Sequence, residues 1–220
     1  MGPRLSDIRH RKAYFVTIGF NPSKALEAVA RARSEGADVV LVTRVDPIEP
    51  AERALRTVKE FSKSIGTEVK ELMVDPKEVT EVFRISRTMK QYERVKVVIG
   101  GGLRIPQAYV LLATIDNWDR IEELKIFDHD TGDEVEIPKW LIPLTTSPER
   151  KGKIKTLKTL TTQPQTKEEI ALKTGLSIQT TSKYLAFLTK AKLAKKVRPN
   201  KYKITPQGNK IKQITQETPT

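Results

Sequence analysis

The chain has 220 residues, no cysteine and a formal net charge of +13. Without cysteine it has no disulfide framework, no thiolate catalysis and no zinc finger. Apolar runs such as Val95–Ile99 are too short to span a bilayer, and no apolar segment follows the basic start as a signal peptide requires. We therefore expect a cytoplasmic protein that does not contact membranes. His10 and His129 are not paired at metal-ligand spacing, so no metal site is predicted.

The positive charge lies at one end of the chain. Residues 150–220 hold 17 Lys and Arg against three Glu, a net charge of +14, whereas residues 1–149 carry a net charge of −1. A cationic segment binds polyanions by releasing condensed counterions from phosphates, so double-stranded DNA is the expected partner. The alternative is a solvated basic surface that only aids solubility.

Alternating strand and helix patterns fill the first two thirds of the chain. Residues 1–12 lack apolar periodicity and are predicted to be a flexible arm. Short β-rich runs then alternate with helical segments, and Asn21-Pro22 suits the start of the first helix. Such alternation predicts an α/β fold, a Rossmann-like parallel sheet covered on both faces. The four runs are Tyr14–Gly19, Asp38–Thr43, Val69–Val74 and Val95–Gly100.

The third helix and the segment after the fourth have signals of their own. Asp75-Pro76-Lys77-Glu78 resembles a capping box, which predicts a helix from that point. Its apolar stripe is predicted to face the sheet: Val79, Val82, Phe83, Ser86 and Met89.

After a fourth helix over about 104–118, the segments 121–128 and 134–137 flank Asp130-Thr131-Gly132-Asp133, which predicts a hairpin at the sheet edge.

Three prolines separate the two halves. Pro138, Pro143 and Pro148 mark a connector, beyond which acidic residues nearly vanish. We therefore predict a sensor domain over residues 13–146 and a second domain over residues 147–220.

The basic segment has the spacing of a winged helix-turn-helix. Thr166-Lys167-Glu168-Glu169 forms a capping box that opens a short helix ending at Gly175, and a second helix follows from Ser177. Two short strands around Arg198-Pro199-Asn200-Lys201 then predict a basic hairpin, the wing. The alternative is a winged helix used for protein contacts.

A recognition helix places its first turns against base edges in the major groove, so hydrogen-bonding side chains are expected there. We assign base contacts to Ser177, Ile178, Gln179, Thr180, Lys183 and Tyr184. Backbone or minor-groove contacts are assigned to Lys195, Lys196, Arg198, Lys201 and Lys203.

A glycine triplet marks the sensor half. Gly100-Gly101-Gly102-Leu103-Arg104 joins the fourth strand to a helix, where backbone N–H groups and a helix dipole favour an anion. The alternative is a tight turn needed only for packing. Gly19-Phe20-Asn21 ends the first strand, and in a Rossmann order strands one and four are neighbours at the edge where ligands bind.

Two common nucleotide motifs are missing from the sequence. No Gly-x-Gly-x-x-Gly follows the first strand, and the chain has no P-loop, so NAD binding and ATP turnover are poorly supported.

These loops and the winged helix together resemble the CRISPR-associated Rossmann-fold (CARF) transcriptional regulators of archaea, over about residues 13–215. The resemblance implies a homodimer that binds a two-fold-symmetric cyclic oligoadenylate, typically cyclic tetra-adenylate, across its axis. It also implies the pocket residues: Gly19, Phe20, Asn21, Gly100, Gly101, Gly102, Leu103 and Arg104, with Thr43 and Asp46 as further members.

The expected function is a ligand-responsive, non-enzymatic DNA-binding regulator of CRISPR-Cas genes without a cofactor. Two alternatives stay open. One is a CARF-type ring nuclease that cleaves the cyclic ligand, and the other is a repressor that senses another nucleotide or metabolite.

Overall fold

The computed structural model describes residues 11–101, 104–128 and 131–217, which form two compact units that divide between Pro138 and Lys139. The turn residue Asp130, the loop residues Gly102 and Leu103, both histidines and most of the predicted arm lie outside the described residues. No helix within the described ranges is long and apolar enough to cross a membrane.

The first unit alternates strands and helices as predicted. Because the apolar runs are short and lie between helical segments, the strands form a parallel sheet whose two faces the helices cover. Its elements are β1 (Lys12–Thr17), α1 (Ser23–Glu35), β2 (Asp38–Arg44), α2 (Glu49–Ser64), β3 (Val69–Val74), α3 (Glu81–Met89), β4 (Arg94–Ile99), α4 (Arg104–Asp116), β5 (Ile121–Phe127) and β6 (Glu134–Glu136).

The described strands form a six-stranded sheet in the order β3-β2-β1-β4-β5-β6. β1 pairs in parallel with both β2 and β4, and Thr17 lies opposite Val42 on one side and Ile99 on the other. β5 and β6 form the predicted antiparallel edge hairpin. The chain order therefore reverses between β1 and β4, and this confirms the Rossmann-like prediction for the sheet.

Alternate residues of the strands face two helical layers. Val39 and Leu41 of β2 belong to the apolar core that α1 and α2 cover. Val40 and Val42 are also buried, and period-two alternation places them on the opposite face, where α4 packs on β1 and β2. Arg44, the last residue of β2, shares that second face.

The third helix differs from its prediction. The carboxylate of Asp75 accepts a hydrogen bond from the Lys77 amide at 2.8 Å, within consecutive turns, and α3 begins only at Glu81. The predicted capping box is therefore wrong. Ser86 and Met89 are buried as predicted, but Val79 is 67% exposed and Phe83 71% exposed. Val79 precedes α3, and the buried face of α3 is formed by Ile85, Ser86 and Met89, which leaves Phe83 outside it.

The second unit is a winged helix-turn-helix. Its elements are α5 (Leu141–Thr146), α6 (Arg150–Thr159), β7 (Gln165–Thr166), α7 (Lys167–Thr174), α8 (Ile178–Lys190), β8 (Ala194–Arg198), β9 (Lys201–Ile204) and α9 (Pro206–Glu217). The described strands form a sheet in the order β7-β9-β8. Its strand β7 was not among the predicted elements.

The connector is more ordered than the proline spacing suggests. Residues Leu141–Thr146 form α5, and Leu144 is buried in the core of the second unit together with Leu157 of α6. Buried Lys153 donates to Ser147 Oγ at 3.0 Å, which ties the segment between α5 and α6 to the same core. The second unit therefore starts at Lys139, ahead of the predicted boundary near Thr146.

Candidate ligand and nucleic-acid sites

The ends of β1 and β4 form the carboxyl edge of the sheet at the point of reversal. Gly19, Gly100 and Gly101 are buried, whereas Phe20, Asn21 and Arg104 are exposed. The side-chain oxygen of Asn21 accepts a hydrogen bond from the Ser23 amide at 2.9 Å, so it satisfies a first-turn N–H of α1.

Gly100 lies against the first turn of α1. A Cβ at this position would lie 2.7 Å from Cβ of Lys24, which is closer than packed atoms approach. The absence of a side chain at Gly100 therefore has a packing reason. This contact brings the β4 loop next to the helix that the β1 loop starts.

A small recess at this edge brings together three of the predicted ligand residues, Gly19, Phe20 and Thr43. Asn21, Asp46 and Arg104 do not line it. The other lining residues come from the strand ends and from the first turns of α2 and α4: Ile18, Arg44, Pro47, Ala51 and Pro106.

Arg44 is a residue of this recess that the sequence analysis missed. Its side chain is half-buried, and its Nε is buried without a hydrogen-bond partner among the described residues. The hydroxyl of Thr17 on the same face of the sheet is likewise buried and without a partner there. The signal available in the sequence was the position of Arg44, directly after Thr43 at the end of an apolar strand.

The helix-turn-helix is formed by the cap residues that the sequence predicted. Thr166 and Glu169 make both hydrogen bonds of the capping box at the start of α7. Gly175 ends α7 in the left-handed conformation, with φ of 65°. Ser177 then caps α8, since its Oγ accepts from the Thr180 amide at 3.1 Å.

Not every predicted contact residue faces solvent on α8. Ile178, Gln179 and Lys183 are exposed on one face, and Thr180 is half-buried and bonded to the cap residue Ser177. Tyr184, in contrast, is only 8% exposed. Most of its side chain therefore lies inside the second unit and not on the exposed face of α8.

The burial of Tyr184 has a packing cause in α6. Gly152 leaves room for its ring, because a Cβ there would lie 2.5 Å from Cε2 of Tyr184. Glycine inside a helix is about 1 kcal/mol less favourable than alanine. Gly152 therefore lowers the helix propensity of α6 but leaves space for the Tyr184 ring.

Lys183 is held by a carboxylate. Its Nζ lies 2.5 Å from Oε1 of Glu149, the residue that precedes α6. The hydrogen bond to Glu149 raises the pKa of Lys183, and the same bond lowers the pKa of Glu149. Lys183 is exposed and Glu149 is half-exposed, so the pair is open to competition from another anion.

The wing carries its predicted cations on β8 and β9. Lys195 lies opposite Lys203, and Arg198 lies opposite Lys201. None of these four cations has a carboxylate partner among the described residues. Like charges directly across a strand pair destabilise it. The wing tip is fixed, since Asn200 Nδ2 donates to Glu168 Oε2 of α7 at 2.6 Å.

A Rossmann-like sensor domain that precedes a winged helix-turn-helix defines a two-domain DNA-binding regulator, and the comparisons agree with this class. Residues 12–138 match the family model described as the Csa3 CRISPR-associated Rossmann-like domain, and residues 154–219 match a winged helix-turn-helix model. A comparison with curated proteins gave no match. The chain belongs to the Csa3 family and is a CRISPR-associated DNA-binding regulator.

Proposed function

We propose that this regulator works as a homodimer that binds a cyclic oligoadenylate, with cyclic tetra-adenylate as the effector, and controls CRISPR-Cas promoters through operator DNA. The observation that carries the proposal is the meeting of the β1 and β4 loops at the reversal of the sheet. In open α/β sheets, ligands bind at that point. The proposal includes no cofactor.

The chemistry of the edge suits a nucleotide. Phe20 is an exposed aromatic side chain beside the recess, and aromatic faces stack on bases in a sequence-tolerant way. Arg104 begins α4 and is exposed, so it can form charge-assisted hydrogen bonds with a phosphodiester at a helix N-terminus.

The wing and α8 suit duplex DNA. The self-repelling pairs Lys195/Lys203 and Arg198/Lys201 are relieved when phosphates lie between or beside them. Gln179 can form a bidentate pair with adenine in the major groove, and exposed Ile178 offers an apolar contact for a thymine methyl.

The outer face of α4 supports the homodimer. Ile105, Ala108 and Leu112 are exposed at helical spacing, and Leu112 keeps 50% of its surface in the single chain. An apolar stripe on an exposed helix face is typical of a protein interface. A second copy related by a two-fold axis would cover it and pair two winged helices for a palindromic operator.

The proposal does not include catalysis. The residues that line the recess within the described ranges supply neither a carboxylate nor an imidazole for acid–base chemistry. Incubation with labelled cyclic tetra-adenylate followed by chromatography tests this directly. Formation of linear products would favour the ring nuclease instead.

Mass spectrometry of the ligand released from purified protein tests the proposed effector. We expect a cyclic oligoadenylate, and recovery of a different nucleotide or metabolite would favour the alternative repressor.

The variant Arg104→Ala is titrated with cyclic tetra-adenylate and, without ligand, with a promoter fragment. We expect weaker ligand binding and unchanged DNA binding. An equal loss of both would contradict the division between sensor and DNA-binding domain.

A further inference from the structure

We infer that Arg44, at the end of β2, forms an anion subsite at the carboxyl edge of the sheet that binds a phosphate group. A guanidinium has five N–H donors, and burial of a donor without a partner costs free energy. The Nε of Arg44 is buried without a partner, and none of its donors contacts a carboxylate of the described residues.

The place of Arg44 in the sheet supports a ligand rather than a structural partner. The residue ends β2 at the carboxyl edge, and its face of the strand is the one on which α4 packs. The recess also contains Pro106 from the first turn of α4, together with Pro47 and Ala51 from the start of α2. The N-terminus of α4 therefore lies near the guanidinium and favours negative charge, whereas the first turn of α2 already carries the carboxylates of Glu49 and Glu52.

Thr17 supplies an independent observation. It is 2% exposed, and its Oγ1 has no hydrogen-bond partner in the described part of the chain. Thr17 ends β1 directly beside Val42 of β2, so it lies on the same face as Arg44 and close to the same edge. The Nε–H of Arg44 and the hydroxyl of Thr17 can each donate a hydrogen bond, and a phosphate has several acceptor oxygens.

The chemical class of the ligand follows from the side chains of Arg44 and Phe20. Arg forms bidentate pairs with phosphate, and the exposed ring of Phe20 at the rim suits a base attached to it. The subsite therefore takes a nucleotide phosphodiester. Its assignment to cyclic oligoadenylate rests on the proposed function, whereas the anion subsite itself rests on the geometry.

Calorimetric titration with cyclic tetra-adenylate compares the wild-type chain with Arg44→Gln, Arg44→Lys and the control Arg87→Gln, which removes an exposed arginine of α3. We expect Arg44→Gln to weaken binding about tenfold or more, because it removes a charge-assisted hydrogen bond. Arg44→Lys should fall between Arg44→Gln and the wild type, and Arg87→Gln should match the wild type. Wild-type affinity in Arg44→Gln would overturn the subsite while leaving the proposed effector in place.

Thermal unfolding without ligand separates a binding role from a structural one. Arg44→Gln removes a half-buried, unpaired charge, so its Tm should equal or exceed that of the wild type. A Tm lowered by several degrees would show that Arg44 supports the fold, and the inference would fail.

If the wild type does not bind cyclic tetra-adenylate, the proposed effector fails, and sodium pyrophosphate then tests the subsite alone. We expect pyrophosphate to raise the Tm of the wild type and of Arg87→Gln, but not that of Arg44→Gln. An equal rise in all three, or no rise in any, would overturn the anion subsite.

Discussion

Single residues decide whether the cations of the DNA-binding domain are available to DNA. Glu149 holds Lys183 at 2.5 Å, so DNA phosphate must compete with a carboxylate for the most central exposed lysine of α8. The wing cations have no such competitor in the described structure. The same surface therefore contains one restrained cation and several free ones.

We predict that Glu149→Gln tightens DNA binding by a few-fold, because Lys183 no longer has to leave an ion pair. Lys183→Ala should weaken binding and lower the slope of log affinity against log salt by about one, as expected for one lost phosphate contact. Gel-shift titrations over a range of salt concentrations measure both effects. Lys173→Ala, an exposed change on α7, is the control.

The double variant Glu149→Gln/Lys183→Ala completes this test. Its affinity should equal that of Lys183→Ala, since Lys153, the other lysine beside Glu149 at 3.7 Å, is buried and not available to DNA. A further gain in the double variant would mean that Glu149 repels DNA by itself.

Elements that the sequence predicted well are those with local signals. The capping box at Thr166, Gly175 at the end of α7 and Ser177 at the start of α8 each act within a few residues, so their positions follow from the sequence. The Rossmann strand order was also predictable, because alternating strands and helices leave few topologies.

Long-range packing explains the elements that the sequence did not predict. Tyr184 looks like an exposed polar residue of α8 until Gly152 of α6 provides a space for its ring. α5 is short and contains Pro143, and its contact through Leu144 becomes visible only in the folded core. The sequence did not point to Arg44, because only the folded structure shows that its Nε is buried without a hydrogen-bond partner among the described residues.

We predict that Gly152→Ala destabilises the chain by about 1–3 kcal/mol, the usual cost of overpacking, because the new methyl overlaps the Tyr184 ring. The gain in helix propensity offsets only part of this cost. Chemical denaturation measures the change, and Lys155→Ala at an exposed position of α6 is the control. In a Tyr184→Leu background the cost of Gly152→Ala should largely disappear; an unchanged cost would locate the strain elsewhere.

At the scale of the whole molecule, the two domains differ in net charge and in exposed apolar surface. The sensor domain is nearly neutral and has apolar side chains at its surface on α4, whereas the winged helix carries the excess of cations. The winged helix is therefore suited to a polyanion, whereas the proposed dimer contact and the proposed effector both belong to the sensor domain.

We predict that Leu112→Glu converts the proposed dimer into a monomer, because a carboxylate cannot be buried in an apolar interface without a partner. Light scattering coupled to size-exclusion chromatography gives the mass directly. Lys63→Glu, an exposed position on α2, should keep the dimer mass. If Leu112→Glu remains dimeric and folded by circular dichroism, the interface does not involve this face of α4.

The facing cations of the wing have a consequence for the lifetime of the protein. The facing cations destabilise the hairpin when it is empty, although Asn200 and Glu168 hold its tip, and bound duplex phosphates remove that repulsion. Trypsin cleaves after lysine and arginine, and every member of the Lys195/Lys203 and Arg198/Lys201 pairs is such a site. We therefore expect bound promoter DNA to slow the cleavage of the wing by trypsin, which limited proteolysis with and without the DNA measures.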